Sequence, residues 1–216
     1  MTRTMIAAAA SVVIVTLGAA AWLSLGSGRP VEDPLAGARS IDAIGADIGG
    51  DFALSGHDER IYRSEELIDG PTLLYFGYTF CPDVCPFDTQ DMADVADMLA
   101  EDGVEVTPVF VTIDPARDTE EQLGYFVDAM HPSMIGLRPD AEQLDRLADD
   151  WKVYFQRVDI PKDEGGGDDH YLMNHTSFTY FVLPDEGVVR LFRHDQTPEE
   201  MAGEIRTMLK MRGLSG

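Results

Sequence analysis

The stretch that decides the fold runs from Tyr75 to Asp88, "YFGYTFCPDVCPFD", and holds the chain's two cysteines, Cys81 and Cys85. Just upstream, residues 71–78 read "PTLLYFGY", a short apolar run of the kind a strand buried on both faces shows. Downstream, Phe87, Met92, Val95, Ala96 and Leu99 recur at near-helical spacing over residues 86–101, and Gly103 supplies a stop. The cysteines therefore fall where a buried strand ends and a helix begins. A helix start offers unpaired backbone N–H groups and the positive end of the dipole, and both stabilise a thiolate. Pro86, directly behind Cys85, suits the first helical position.

Outward from this junction the same alternation continues. Residues 51–67, "DFALSGHDERIYRSEEL", predict a hairpin turning at Ser55-Gly56, with His57 at its solvated tip. Residues 104–114, "VEVTPVFVTID", predict the next strand, although Pro108 is awkward at a central hydrogen-bonded position. A helix follows over 119–130, where Thr119 and Gln122 stand as a capping box, then a short strand at 135–137 and a helix over 141–150. Residues 153–158 alternate as a strand, and "PKDEGGGDDHYLMNH" (161–175) reads as a flexible loop. Residues 177–183 and 188–192 form a second hairpin around Asp185–Gly187. The last helix opens with Thr197, Pro198 and Glu200 and buries Met201, Ile205, Met208 and Leu209. This order is that of an α/β thioredoxin-like sandwich carrying an N-terminal β-hairpin extension.

Met5–Gly26 runs 22 residues without a charge. As a helix that is about enough to cross the ~30 Å hydrocarbon layer. The division expected is a transmembrane anchor or uncleaved signal at 1–27, a linker at 28–46 and the thioredoxin-like domain at 47–216. Arg3 ahead of the apolar run and the acidic bulk behind it place the C-terminal domain in the periplasm, outside the cytoplasm, where disulfides persist. The 216 residues carry a formal charge of −23 and no cluster of Lys or Arg, which argues against a nucleic-acid surface. A solvated acidic exterior is the simpler reading of that charge.

Three chemistries remain open to the cysteine pair: a structural disulfide, a dithiol redox couple and a metal site. A bridge closing so small a loop adds little chain entropy. Three residues separate Cys81 from Cys85, one more than in the dithiol oxidoreductase motif. Thiolates favour soft ions, and copper(I) accepts two or three soft ligands where structural zinc wants four. A metal site therefore asks for a histidine. His57, His131, His170 and His194 read as turn, cap or loop residues. His175 differs, because it precedes the strand at 177–183 and in a thioredoxin-type sandwich would face the cysteine junction. Met173 has a soft thioether nearby, but packing explains it more simply.

Three segments, "YFGYTFCPDVCP" (75–86), "VTIDPARDT" (111–119) and "HYLMNHTSFTYFVLPDEG" (170–187), resemble the Sco (SenC) family of membrane-anchored copper chaperones. The resemblance spans about residues 45–210 and implies a thioredoxin-like fold that binds one copper through Cys81, Cys85 and His175. It also implies a role in assembling the dinuclear copper centre of cytochrome c oxidase subunit II, with a copper-donating chaperone as a second partner and without turnover. Asp114 reads as a strand end near the site, and Arg117 and Asp118 as turn and capping residues. Asn174 departs from the family, which often has an acidic residue before the histidine. The alternative function is a thiol–disulfide oxidoreductase with Cys81 and Cys85 as its redox pair. The absence of a proline just before Ser177 counts against a general reductase, and Tyr78 in the threonine position counts against a peroxiredoxin.

Overall fold

A computed structural model of the protein describes residues 40–161, 163, 167 and 169–214. The expected anchor at 1–27 and the linker up to residue 39 lie outside the described residues. Among those described, no helix is long and apolar enough to cross a membrane.

The apolar run at the chain's centre becomes β4 (Thr72–Gly77), and all six of its residues are buried. It lies inside an eight-stranded sheet of order β1-β10-β9-β4-β5-β6-β2-β3. The remaining strands of that sheet are β1 (Ser40–Asp42), β2 (Ala53–Gly56), β3 (Ile61–Arg63), β5 (Thr107–Thr112), β6 (Ile135–Arg138), β9 (Phe178–Leu183) and β10 (Gly187–Arg193). β4 runs parallel to β5 and antiparallel to β9. Pro108 is tolerated in β5 because pairing with β6 starts one residue later, at Val109 with Ile135. Thr107 donates to Pro71 on the β4 side, so the donor Pro108 lacks would point to the β6 side, where no partner strand has yet begun.

Among the described residues five helices cover the sheet: α1 (Ser64–Leu67), α2 (Val84–Ala100), α3 (Glu120–Met130), α4 (Ala141–Trp151) and α5 (Pro198–Arg212). Alternate residues of β4 point to opposite faces. Phe76 meets Trp151 of α4 and Tyr180 of β9, with ring centroids at 5.9 and 5.6 Å. Tyr75, on the other face, meets Phe110, which in turn packs on Phe126 of α3 at 4.9 Å. The helix starts follow their local signals. Thr197 and Glu200 complete a reciprocal capping box, as do Asp140 and Gln143. At α3 only half of the expected box forms, with the Thr119 side chain accepting from the Gln122 N–H.

Four expectations are corrected. Ser40–Asp42, inside the stretch read as linker, forms β1 and pairs with β10 from Ser40–Phe192 to Asp42–Arg190. The first hairpin turns over residues 57–60 rather than at Ser55-Gly56, and its β2 arm extends the main sheet by pairing with β6. His57 is not a solvated tip: its N–H donates to the Gly136 carbonyl and its Nδ1 accepts from the Gly136 N–H. The largest correction concerns residues 171–175. Instead of loop, Tyr171–His175 is a strand, β8, paired antiparallel with β7 (Phe155–Asp159) in a separate two-stranded ribbon.

Candidate metal centre

Gly77 ends β4 directly over the cysteines. A Cβ there would lie 2.8 Å from Tyr75 Cε1, 3.0 Å from Phe110 Cε2 and 3.2 Å from the Cys85 sulfur. Glycine is thus the residue that lets the helix start come this close to the strand end. The chain then turns, with the Cys81 N–H donating to the Tyr78 carbonyl at 3.2 Å. α2 begins at Val84, two residues earlier than Pro86 suggested, so Cys85 is its second residue and Cys81 lies in the loop before it. Asp83 makes no side-chain cap, which leaves first-turn N–H groups to the sulfurs.

The histidine arrives from the ribbon. His175 is the last residue of β8, opposite Phe155. Its Nδ1 lies 2.9 Å from the Thr176 carbonyl, which only accepts, so Nδ1 carries the proton and donates. Nε2 then presents its lone pair, 3.2 Å from the Cys85 sulfur. Tyr75 and Tyr78 meet the imidazole edge-on, at 6.1 and 5.9 Å between ring centroids. The ligand atoms of Cys81, Cys85 and His175 all lie within 4.8 Å of one another, the one such metal-capable group among the described residues.

Both cysteines are free and buried, but their protons divide unequally. Cys81 is pushed below the ordinary thiol range by the hydrogen bond from Cys85 and by the N–H groups of Cys85 and Asp83, against the cost of burial. Cys85 is pushed up, by its bond to Cys81 and by its own burial. Of the two, Cys81 is the more readily ionised and Cys85 the one that favours keeping its proton. A cleft of about 380 Å³ opens onto this group between Tyr78, Cys81, Tyr154, Met173 and His175. Met173 is half-buried and packed against the core, and its N–H donates to the Tyr78 hydroxyl at 3.3 Å.

The other histidines stay away from the site. His131 caps α3 and lies 3.2 Å from Asp97, while His170 and His194 are exposed. Asn174 lies on the exposed face of β8. The residues that sequence reading undervalued are Arg117 and Asp118. Asp118 is fully buried rather than a capping residue. It accepts from the Thr79 N–H and hydroxyl at 3.0 and 2.6 Å and from the Thr112 hydroxyl at 2.5 Å. Arg117 pairs with buried Asp114 at 2.6 Å, and its guanidinium lies 3.5 Å from the Tyr171 ring centre. The available signal was two opposite charges directly behind a buried strand, where an unpaired charge is costly.

Chemically, two sulfurs and an oriented imidazole nitrogen make a soft three-donor set, which fits copper and lacks the fourth protein ligand of a structural zinc site. Residues 42–210 match the SCO1/SenC family model. The chain is 37% identical over 209 residues to protein SenC of Rhodobacter capsulatus, covering 96% of this chain and 90% of that one. Its fold is similar to that of Arabidopsis thaliana ScoI with copper bound, at a TM-score of 0.70 and 30% identity over 76% of this chain and 99% of that one. It is also similar to Bradyrhizobium japonicum ScoI with copper bound, at a TM-score of 0.65 and 31% identity over 74% and 98% of the two chains.

Proposed function

The chain belongs to the SCO1/SenC family, and from that premise we propose that it carries one copper ion on Cys81, Cys85 and His175. It passes that ion on during assembly of the dinuclear copper centre of cytochrome c oxidase subunit II. The observation that carries this reading is the convergence of three soft donors, within 4.8 Å, from segments 90 residues apart. Ion binding displaces the proton that Cys85 retains, so uptake is linked to proton release. The Thr176 carbonyl keeps Nε2 aimed at the ion. The cleft beside Met173 and Tyr154 is where a partner's ligands would reach it. Residues 1–27 serve as the anchor that keeps the domain at the membrane, facing the periplasm.

The unequal protons on the cysteines favour one further reading, reduction of a disulfide on the oxidase subunit or another exported protein. The Cys81 thiolate would attack one sulfur of the target disulfide and expel the other as a thiolate. Cys85, losing its proton, would then attack the Cys81 sulfur and release the target's second thiolate, leaving the pair oxidised and the target reduced by two electrons.

Titration of the reduced full-length chain with copper(I) against a competing chelator tests the first reading. One ion per chain is expected, with affinity reduced more than about a hundredfold by Cys81→Ser or Cys85→Ser and more than about tenfold by His175→Ala. Stoichiometric binding retained by all three variants overturns the site.

A further inference from the structure

The turn 114–118, "DPARD", touches both halves of the metal centre and takes no part in ligation. Asp118 reaches one half. Its carboxylate accepts from the Thr79 N–H and hydroxyl, two residues before Cys81, and from the Thr112 hydroxyl at the end of β5. These bonds are buried, and they tie the cysteine loop to the neighbouring parallel strand. Arg138 holds the turn from beneath, donating to the carbonyls of Asp118 at 2.9 Å and Pro115 at 2.8 Å.

Arg117 reaches the other half. One of its terminal nitrogens donates to the carbonyls of Tyr171, at 2.8 Å, and Asp169, at 3.3 Å, where β8 begins. Its guanidinium lies over the Tyr171 ring at 3.5 Å, and Arg157 covers that ring at 3.8 Å. The Tyr171 hydroxyl completes the contact by donating to Asp114 at 2.7 Å. Arg117 also stands 5.1 Å from the Phe80 ring and 5.7 Å from that of Tyr78, the aromatics flanking Thr79. Its side chain is only 9% exposed and that of Asp114 only 5%. Buried charge-assisted bonds of this kind are worth more than surface pairs and are strongly directional. A two-stranded ribbon, by contrast, is marginal alone.

We propose that this turn is a two-armed bracket, in which Asp118 positions the cysteine loop and Arg117 positions the strand that carries His175. Both are positioning residues for the centre read above, and the inference rests on that reading for its purpose. The arms are separable in their hydrogen bonds, since Asp118 bonds the cysteine loop and Arg117 the start of β8, while Arg117 meets the cysteine loop only through the faces of Phe80 and Tyr78. Loss of the Arg117 arm frees the imidazole while the sulfurs stay in place. Loss of the Asp118 arm disturbs the sulfurs while β8 stays paired.

Arg117→Ala and Asp118→Asn in the full-length chain test this, with hydrogen exchange read first on the metal-free protein. In Arg117→Ala, amides 172–175 are expected to exchange about tenfold faster or more, with residues 72–77 unchanged. In Asp118→Asn the acceleration is expected at residues 78–81, with 172–175 unchanged. Loaded with copper(II), Arg117→Ala should lose nitrogen coupling in its electron paramagnetic resonance spectrum, as His175→Ala does, while keeping the sulfur-to-copper charge-transfer band. Asp118→Asn should shift that band. Tyr171→Phe, which keeps the ring but removes the hydroxyl, should move in the direction of Arg117→Ala by a smaller amount, and it supplies the answer if the alanine variant does not fold. Equal changes in both segments for either variant, or none in either, would overturn the bracket. Failure of the wild-type chain to bind copper would overturn the proposed function instead, since the exchange pattern is read without metal.

Discussion

The cysteine half of the centre and the histidine half are held in different ways. Cys81 and Cys85 follow β4, every residue of which is buried between β5, β9 and the helices, and Cys85 itself is 0% exposed. His175 ends β8, whose residues alternate between covered and exposed, on a ribbon whose partner β7 has four of five residues exposed. One half draws its position from the core, with the Asp118 bonds to Thr79 added to it. The other packs on the core only through Tyr171, Met173 and Phe155 and relies on polar contacts: Arg117 and Asp114 on Tyr171, the Tyr78 hydroxyl on Met173, and a pair of bonds between Tyr154 and Thr176. A donor set built this way has a fixed pair of sulfurs and a nitrogen that local opening can remove, since ribbons with little buried apolar area open at a fraction of the global free energy.

The largest effect expected from this contrast is in native-state hydrogen exchange. Amides of β4 and β5 should be protected to near the global stability, and those of β7 and β8 should exchange more than about a thousandfold faster. Equal protection of ribbon and sheet would erase the contrast. A smaller effect is expected from Gly77→Ala, which pushes a methyl against the Tyr75 and Phe110 rings and the Cys85 sulfur. Overpacking there should cost about 1–3 kcal/mol in denaturant unfolding and weaken copper binding, with the ribbon's exchange unaltered. Unchanged stability would mean the strand end yields more readily than its burial implies.

An effect of similar size is one of pH and also lies on the cysteine side. Asp88, on α2, is 5% exposed, with one carboxylate oxygen lacking a partner among the described residues, and burial pushes its pKa up to about 6. Unfolded, the group titrates near about 3.9. At lower pH both states hold the proton and burial carries no ionisation penalty. Between the two values the unfolded state gives up its proton first and the folded state loses stability, a loss complete above the folded pKa. Asp88→Asn should therefore stabilise the metal-free protein at neutral pH by about 1–3 kcal/mol and leave it unchanged near pH 4. An equal shift at both pH values would assign the effect to packing.

Most of the sandwich could be read from local signals. The buried run at 72–77, the stripe of α5 and the cap of the last helix each depend on residues a few positions apart. The three donors were legible too, because Cys81 and Cys85 are the only cysteines and His175 stands just before the apolar run at 177–183. β8 was not legible. Its five residues follow a glycine- and aspartate-rich stretch that reads as loop, and its alternation acquires meaning only once β7 lies alongside. His57 was misread for the same reason, since its partner Gly136 is 79 residues away.

By itself, then, the order of residues determined which elements form and which side chains are chemically able to hold a soft ion. Periodicity, capping and donor type are properties of short windows, and no distant partner is needed to recognise them. Whether sulfur and imidazole meet, which cysteine keeps its proton, and that a buried arginine and aspartate hold the two segments were decided by the tertiary structure. Those are distances and dielectric surroundings, set when β4, the 114–118 turn and β8 come together across a hundred residues of chain.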